Sequence, residues 1–311
     1  MSYTISVFDD PERIPELIEL FSTGLGETTV EHWKWRLFTE NGQPDPAFAV
    51  VALDEDGKMA GVSSMLPVIY GSGENERKCL QFCDWVVHPD HRGKGIIKLI
   101  YRYACEYFSD KGYDFIMEFP NDNSYPIFQK YGFCEEPHIG CMNTPKRLFF
   151  GKRIPADFNY RGVEIRFTDI CPFTDEVFVG EGRIYRNVSF LRWKYDLNPD
   201  TEYRYVSLWK NEVCIGYFVY TLTRGRLRTA VNVYDWDYYS NDHDVLKKVL
   251  SLLGKMGNYV SIWGRYDDET IDLMKKAGLK DVGGTTRLML KSLSDKPLPA
   301  KLTLTRIDTD Y

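Results

Sequence analysis

The chain has 311 residues, 43% of them hydrophobic and 15% aromatic, with a formal net charge of −6. That length suits one large or two ordinary domains with a full core, and the acidic balance argues against nucleic acid as a partner, because non-specific phosphate binding needs a basic face. No apolar stretch approaches the length of a membrane span, and the first residues run into acids rather than into the apolar core of a signal peptide.

Ile5 to Phe8 can form a first strand. Asp10-Pro11-Glu12 is a helix start, with proline in the first turn and acids near the positive end of the dipole. Ile14, Leu17, Ile18 and Phe21 then recur at helical spacing until Gly24 and Gly26 stop them, and a second helix is predicted over Val30 to Phe38. Phe48 to Leu53 and Met59 to Tyr70 read as a strand pair around the turn Asp54-Glu55-Asp56-Gly57. Leu80 to Val87 is a further strand that stops before Pro89. The turn Arg92-Gly93-Lys94-Gly95 comes next, then a helical pattern to about Ser109. Gly112 to Phe119 reads as another buried strand, broken by Pro120-Asn121. Ser124 to Lys130 looks helical, Tyr131-Gly132-Phe133 closes the segment, and Ile139 to Phe150 is expected to be the last strand of a first unit.

The turn after Val87 has the make-up of a phosphate-binding device. Backbone N–H groups in the first turn of a helix have no partner within it, and glycines let the main chain approach an anion closely. Arg92 and Lys94 add positive charge at the same place. A P-loop would need Gly-Lys followed by Ser or Thr, which is absent, and the dinucleotide fingerprint would need glycine where Lys98 stands. Arg92-Gly93-Lys94-Gly95-Ile96-Ile97 instead matches the acetyl-CoA motif of the GNAT acetyltransferases, Arg/Gln-x-x-Gly-x-Gly/Ala, except at Ile97. Downstream, Asn121, Phe128, Gly132 and Phe133 occupy the places of a second GNAT motif. Residues 1–150 therefore resemble the GNAT superfamily, and the tandem layout of the chain looks most like its Eis-like branch.

The resemblance implies an α/β (α+β) architecture of tandem GNAT-like units, each a mixed, mostly antiparallel sheet flanked by helices. It implies acetyl-CoA as co-substrate, held by the exposed strand backbone of Trp85, Val86 and Val87, by the turn Arg92, Gly93, Lys94, Gly95, Ile96 and Ile97, and by Asn121. It implies an acetyl-CoA-dependent N-acetyltransferase that passes the acyl group directly to a primary amine of a small molecule: an amino sugar, aminoglycoside, polyamine or amino acid.

Residues 151–162, polar with Pro and Gly, read as a linker. The second half of the chain resembles a worn copy of the first. Trp33-Lys34-Trp35-Arg36-Leu37 corresponds to Trp193-Lys194-Tyr195-Asp196-Leu197, a strand hairpin is expected over Val206 to Val219, and Lys276-Ala277-Gly278-Leu279 echoes Lys130 to Phe133. At the place of the cofactor turn, Tyr234 to Asp242 offers no glycine and no cation, only aspartates that would repel a pyrophosphate. The second unit, 163–292, is therefore expected not to bind cofactor, and 293–311 is expected to be a tail. Eis-like enzymes carry a further sterol-carrier-like domain at that end, and residues 293–311 are expected to be too short to form one.

Amide formation needs a proton acceptor for the amine and help for the departing thiolate. Asp84 and Glu118 are acids inside apolar strand runs, a costly placement unless they are paired or face a cleft, and they are the base candidates beside His88. The tyrosine that supplies a general acid in the resembled family is here Phe128, so Tyr125 is the nearest substitute on that face, with Tyr131 expected in the core. The carboxylate of Tyr311 comes next, because Eis-like enzymes place their chain terminus in the active site. Competing readings are a Fem-like aminoacyltransferase, disfavoured by the intact turn, and a non-catalytic acyl-CoA sensor, suggested by Phe128. The scattered cysteines, odd in number and without a Cys-x-x-Cys pair, read as reduced thiols in a cytoplasmic protein. Cys79 and Cys83 have no histidine beside them, so no metal site is expected. The oligomeric state, a homodimer included, is left open.

Overall fold

The computed structural model describes residues 2–71, 73–146, 156–174, 177–178, 182–226, 228–284 and 286–309. In the first half, β1 (Thr4–Val7) leads through a 3-10 turn (Pro11–Arg13) into α1 (Ile14–Ser22) and α2 (Val30–Phe38). The Asp10 carboxylate accepts from the Glu12 N–H at the first start, and the Thr29 hydroxyl accepts from the His32 N–H at the second. Then come β2 (Phe48–Leu53), β3 (Met59–Tyr70), β4 (Arg77–Val87), α3 (Ile96–Asp110), β5 (Phe115–Glu118), α4 (Tyr125–Lys130) and β6 (Cys134–Asn143).

The second half runs β7 (Phe158–Tyr160), β8 (Val163–Thr168), β9 (Val177–Phe178), β10 (Arg186–Asn187), and α5 (Val188–Leu191) continuing into a π-helical turn (Arg192–Asp196). It goes on with β11 (Arg204–Lys210), β12 (Val213–Arg224), β13 (Thr229–Tyr238), α6 (His243–Leu253), β14 (Tyr259–Arg265), α7 (Asp268–Lys276), β15 (Lys280–Asp281), β16 (Thr286–Ser292) and β17 (Leu304–Thr305).

Among the described residues one mixed, mostly antiparallel sheet runs β1-β2-β3-β4-β5-β16-β6-β14-β13-β12-β11-β8-β7, with β15 on β6 and β17 on β14. Its parallel pairs are β4 with β5 and β13 with β14, each joined by a helical crossover. The repeat anticipated from sequence is thus visible as two copies of one strand order. The copies also exchange their last strands. β16 pairs with β5, β6 pairs with β14, and β6 and β16 pair with each other at the centre. Helices α3 and α4 cover one core built on the first half-sheet, and α6 and α7 cover its counterpart on the second. A third core under the seam joins Trp35, Trp193 and Phe115 to Leu288, Leu290 and Leu304.

The tryptophans at the seam fix the register of the repeat. The Trp35 indole donates to the Trp193 carbonyl at 2.7 Å and the Trp193 indole donates to the Trp35 carbonyl at 3.1 Å, with the rings stacked at 5.1 Å. Reciprocal contacts of this kind arise between equivalent positions across a two-fold relation. Trp193 is therefore the counterpart of Trp35, and the correspondence expected from sequence is shifted by two residues. Other boundaries also differ. The strand expected over Ile139 to Phe150 begins at Cys134 and ends at Asn143, and 147–150 lie outside the described residues. Of the expected linker, 151–155 lie outside them too, and Phe158–Tyr160 is a strand paired to β8 through a turn with Arg161 and Gly162 at positive φ. The tail is built into the molecule, with Leu302, Leu304 and Ile307 buried.

Candidate active site

The first half-sheet opens at one place. β4 and β5 pair only from Cys79–Phe115 to Gln81–Met117. Beyond that, the register of β4 against β3 shifts between Ser63 and Met65, so that Cys83 and Asp84 together oppose Ser64. This bulge bends β4 away from β5. The gap between the strands is a cavity of about 550 Å³, lined by residues 81–87 of β4, Glu118 and Phe119 at the end of β5, Arg92, Ile97, Asn121 and Thr309, among others.

At the cavity's mouth the chain makes the turn that the sequence singled out. Gly93 and Gly95 hold positive φ of 77° and 79°, and a Cβ on either would meet nothing within 4 Å. Gly95 is the N-cap of α3 and has no side chain to bond the first-turn N–H groups. Those donors are open to an anion. The Arg92 guanidinium reaches the backbone carbonyls of Val87 and Thr23 at 3.3 and 3.4 Å, and no carboxylate pairs with it among the described residues.

Two carboxylates meet the cavity, and their surroundings differ. Oδ2 of Asp84 accepts from the Ser64 hydroxyl at 2.9 Å and pairs with the buried Arg36 guanidinium at 2.8 Å. Glu118 is 5% exposed, and its Oε2 has no hydrogen-bond partner. Burial, and secondarily the charge of Asp84, push its pKa well above the ordinary carboxylate range.

Residues 10–135 match the family model described as "Acetyltransferase (GNAT) domain". The first unit is a GNAT acetyltransferase domain. No curated protein matches the sequence. Among solved structures, a GCN5-related N-acetyltransferase from Anabaena variabilis is similar over 94% of this chain and 73% of that one, with TM-score 0.67 and 15% identity. Eis1 from Mycobacterium abscessus is similar over 94% and 74%, with TM-score 0.61 and 12% identity. A tandem GNAT protein from the clavulanic acid biosynthesis pathway is similar over 95% and 100%, with TM-score 0.56 and 13% identity. At these identities the likeness is one of fold, and it includes the tandem arrangement.

Within the GNAT unit the residues expected at the cofactor have separate fates. Trp85, Val86, Val87, Arg92, Ile97 and Asn121 all line the cavity. Ile96 does not: its side chain is 1% exposed and packs in the core under α3, so only its backbone N–H is left to the turn. Asn121 is a structural cap as well, its Oδ1 accepting from the N–H groups of Asn123 and Ser124 ahead of α4.

Tyr125 does not line the cavity. Its hydroxyl donates to Glu135 at 2.7 Å on the outer face, a bond that raises its pKa, and Gln129 donates to it in turn. That placement gives no support to Tyr125 as the acid. Phe128 fills the usual tyrosine position and packs edge-on against Trp85, while Tyr131 stacks on Tyr101. His88 sits at the surface beside Asp90. Tyr311 lies outside the described residues, but Thr309 lines the cavity.

A network with no local mark in the sequence brings Thr309 there. Arg186 pairs with Asp235 at 2.7 Å and with Asp308 at 2.8 Å, and the hydroxyls of Tyr195, Tyr217 and Thr305 also donate to Asp235. The Gln81 amide of β4 donates to the Asp308 carbonyl at 2.7 Å. This network fixes residues 304–308 where β13 and β14 part, the counterpart of the gap that is open between β4 and β5. The helix start differs in the same sense: the Asp242 carboxylate accepts from the N–H groups of Asp244 and Val245 and so caps α6 with a negative charge. In sequence these residues were visible only as aspartates and an isolated Arg186.

Proposed function

We propose that the protein transfers the acetyl group of acetyl-CoA directly to a primary amine of a small molecule, and that the first unit alone takes the cofactor. The observation that carries this reading is Glu118, an unpartnered and buried carboxylate facing the cavity that begins at the uncapped start of α3. The turn from Arg92 to Ile97 suits a pyrophosphate, and the β4 edge left unpaired beyond Gln81 suits the amides of a pantetheine arm. Glu118 removes a proton from the attacking nitrogen; its raised pKa makes it the stronger base once ionised. Asp84, held by Arg36 and Ser64, adds negative charge beside it.

A covalent route through Cys83 is disfavoured. That thiol lines the same cavity, but burial pushes its pKa up to about 12, so it stays protonated. No tyrosine lines the cavity among the described residues.

The amine enters at the seam. A second cavity of about 490 Å³ shares Leu25 and Asp84 with the first and is walled by α2 and by Asp200 of the second unit. Unpaired thiols among the described residues fit a reducing, cytoplasmic setting. Among the described residues no helix is long and apolar enough to cross a membrane.

The test is thiol release from acetyl-CoA with spermidine, glucosamine, tobramycin and lysine as acceptors, with mass spectrometry of the products. Amine-dependent release with an N-acetylated product is the expected result. Tight acetyl-CoA binding without release on any amine would favour the sensor reading.

A further inference from the structure

An ammonium group must lose two protons to become an amide nitrogen, and the cofactor cavity offers Glu118 for one of them. A second proton acceptor is built at the seam. His32, on α2, lines both the 490 Å³ cavity that meets the cofactor cavity at Asp84 and a neighbouring cavity of about 210 Å³ that Lys194 also lines. Its Nδ1 lies 2.5 Å from Oδ2 of Asp200, which comes from the second unit. A carboxylate can only accept, so Nδ1 carries the hydrogen and Nε2 of the neutral ring keeps its lone pair. The rings of Trp33 and Trp35 stand edge-on to the imidazole, with centroids 5.3 and 5.6 Å away, and hold its plane. Trp33 lines the larger cavity, and its buried indole Nε1 has no hydrogen-bond partner. The geometry is that of a base oriented by a carboxylate, assembled only when both units are in place.

Resting on the acyl-transfer reading, we propose that His32, oriented by Asp200, is a catalytic residue that takes the first proton from the acceptor's ammonium group in the seam cavity. His32 accepts one proton from R–NH3+ and leaves the nitrogen lone pair free. The N–C bond then forms at the thioester carbonyl and the C–S bond breaks, the electron pair going to sulfur. Glu118 takes the second proton, which ends on the thiol, and His32 returns the first to solvent. The balance is R–NH3+ plus acetyl-CoA giving the acetamide, CoA thiol and one proton. The charged groups that bear on His32 are Asp200 and Asp84, which raise its pKa, and Arg36, which lowers it; burial is the largest influence and lowers it on balance, so the ring is neutral and ready to accept at neutral pH.

The test compares wild type, His32→Gln and Asp200→Asn with spermidine and glucosamine as acceptor probes, reading kcat/KM for the amine against pH and acetyl-CoA affinity by calorimetry. His32→Gln is expected to lose on the order of 100-fold in kcat/KM near neutral pH, within the usual range for a general base. That deficit should shrink towards the amine's own pKa, where free amine is already abundant. Acetyl-CoA affinity should be unchanged, and Asp200→Asn should show a smaller loss of the same pH form. A deficit constant across pH in both variants would mark a structural role and overturn the proposal, as would near-normal rates. If wild type binds acetyl-CoA but acetylates neither probe, the acyl-transfer reading fails and this one fails with it; failure of the His32 pattern alone, with wild type active, leaves that reading standing.

Discussion

Glu118 ties activity and stability to one unpaired carboxylate. Its folded-state pKa is raised above the ordinary value by burial, so the folded protein prefers it protonated. For a group raised in this way, the stabilising contribution is full at pH below the ordinary carboxylate value and is lost as pH rises through the folded one. Glu118→Gln should therefore raise the Tm more at pH 8 than at pH 5, while lowering kcat by roughly 100-fold or more and flattening the rising limb of the rate profile. Melting curves and initial rates on one preparation check both; a Tm gain independent of pH would contradict the assignment. Asp84→Asn should instead destabilise the fold. It leaves the buried Arg36 guanidinium without its carboxylate, the Ser64 hydroxyl remaining, at a cost of about 1–3 kcal/mol for the lost charge-assisted hydrogen bond. Denaturant unfolding should show that loss. Both acids were legible in the sequence as charges in apolar strands. Which of them is paired was not, because Arg36 lies 48 residues before Asp84 and a helix and a strand must pack before they meet.

At the scale of elements, the two units differ at the start of one helix. α3 begins at a glycine with no cap, and α6 begins under the Asp242 carboxylate. Gly95→Asp should convert the first into the second, because aspartate tolerates the left-handed region and accepts from first-turn N–H groups. Calorimetry with acetyl-CoA is expected to show one site per chain in wild type and a loss of roughly 100-fold or more in this variant, from the lost donors and the added charge. Unchanged affinity, or two sites in wild type, would contradict it. This helix start was readable because glycine, cation and strand end lie within a dozen residues. β6 was read less well. Its first half is Cys-Glu-Glu-Pro-His, too polar and too broken by Pro137 to look like a strand. The ladder accommodates the proline in a bulge, since Glu136 and Ile139 oppose Leu288 and Thr286, which leaves Pro137 and His138 against a single residue. The same locality explains the miss at β7, a strand as short as Phe158–Tyr160 inside a Pro- and Gly-containing stretch.

At the scale of the molecule, the sequence suggests two successive units, whereas the sheet is shared between them. The order of elements repeats along the chain and so could be seen in it; an exchange of final strands leaves no local mark, because β6 and β16 would carry the same alternation whichever neighbour they took. The consequence can be tested by cutting the chain after Lys152. If the units were independent, the shortened chain would fold and bind acetyl-CoA. In the observed topology it lacks β16, so β5 and β6 lose the strand between them, and Leu288 and Leu290, both fully buried, are missing from the core beneath. It also lacks Trp193, whose stacking and reciprocal hydrogen bonds hold Trp35. Loss of a buried tryptophan alone costs about 3–5 kcal/mol, a large part of a domain's usual stability of about 5–15 kcal/mol. The β5 edge and both edges of β6 would then be open to other chains. The shortened protein is expected to aggregate or to melt without a cooperative transition. Addition of residues 156–311 as a separate chain should restore soluble, cofactor-binding protein, because it returns β16 to its place and fills the seam. A soluble, cooperatively folding fragment 1–152 with native affinity for acetyl-CoA would show that the exchanged strand is dispensable to the first unit.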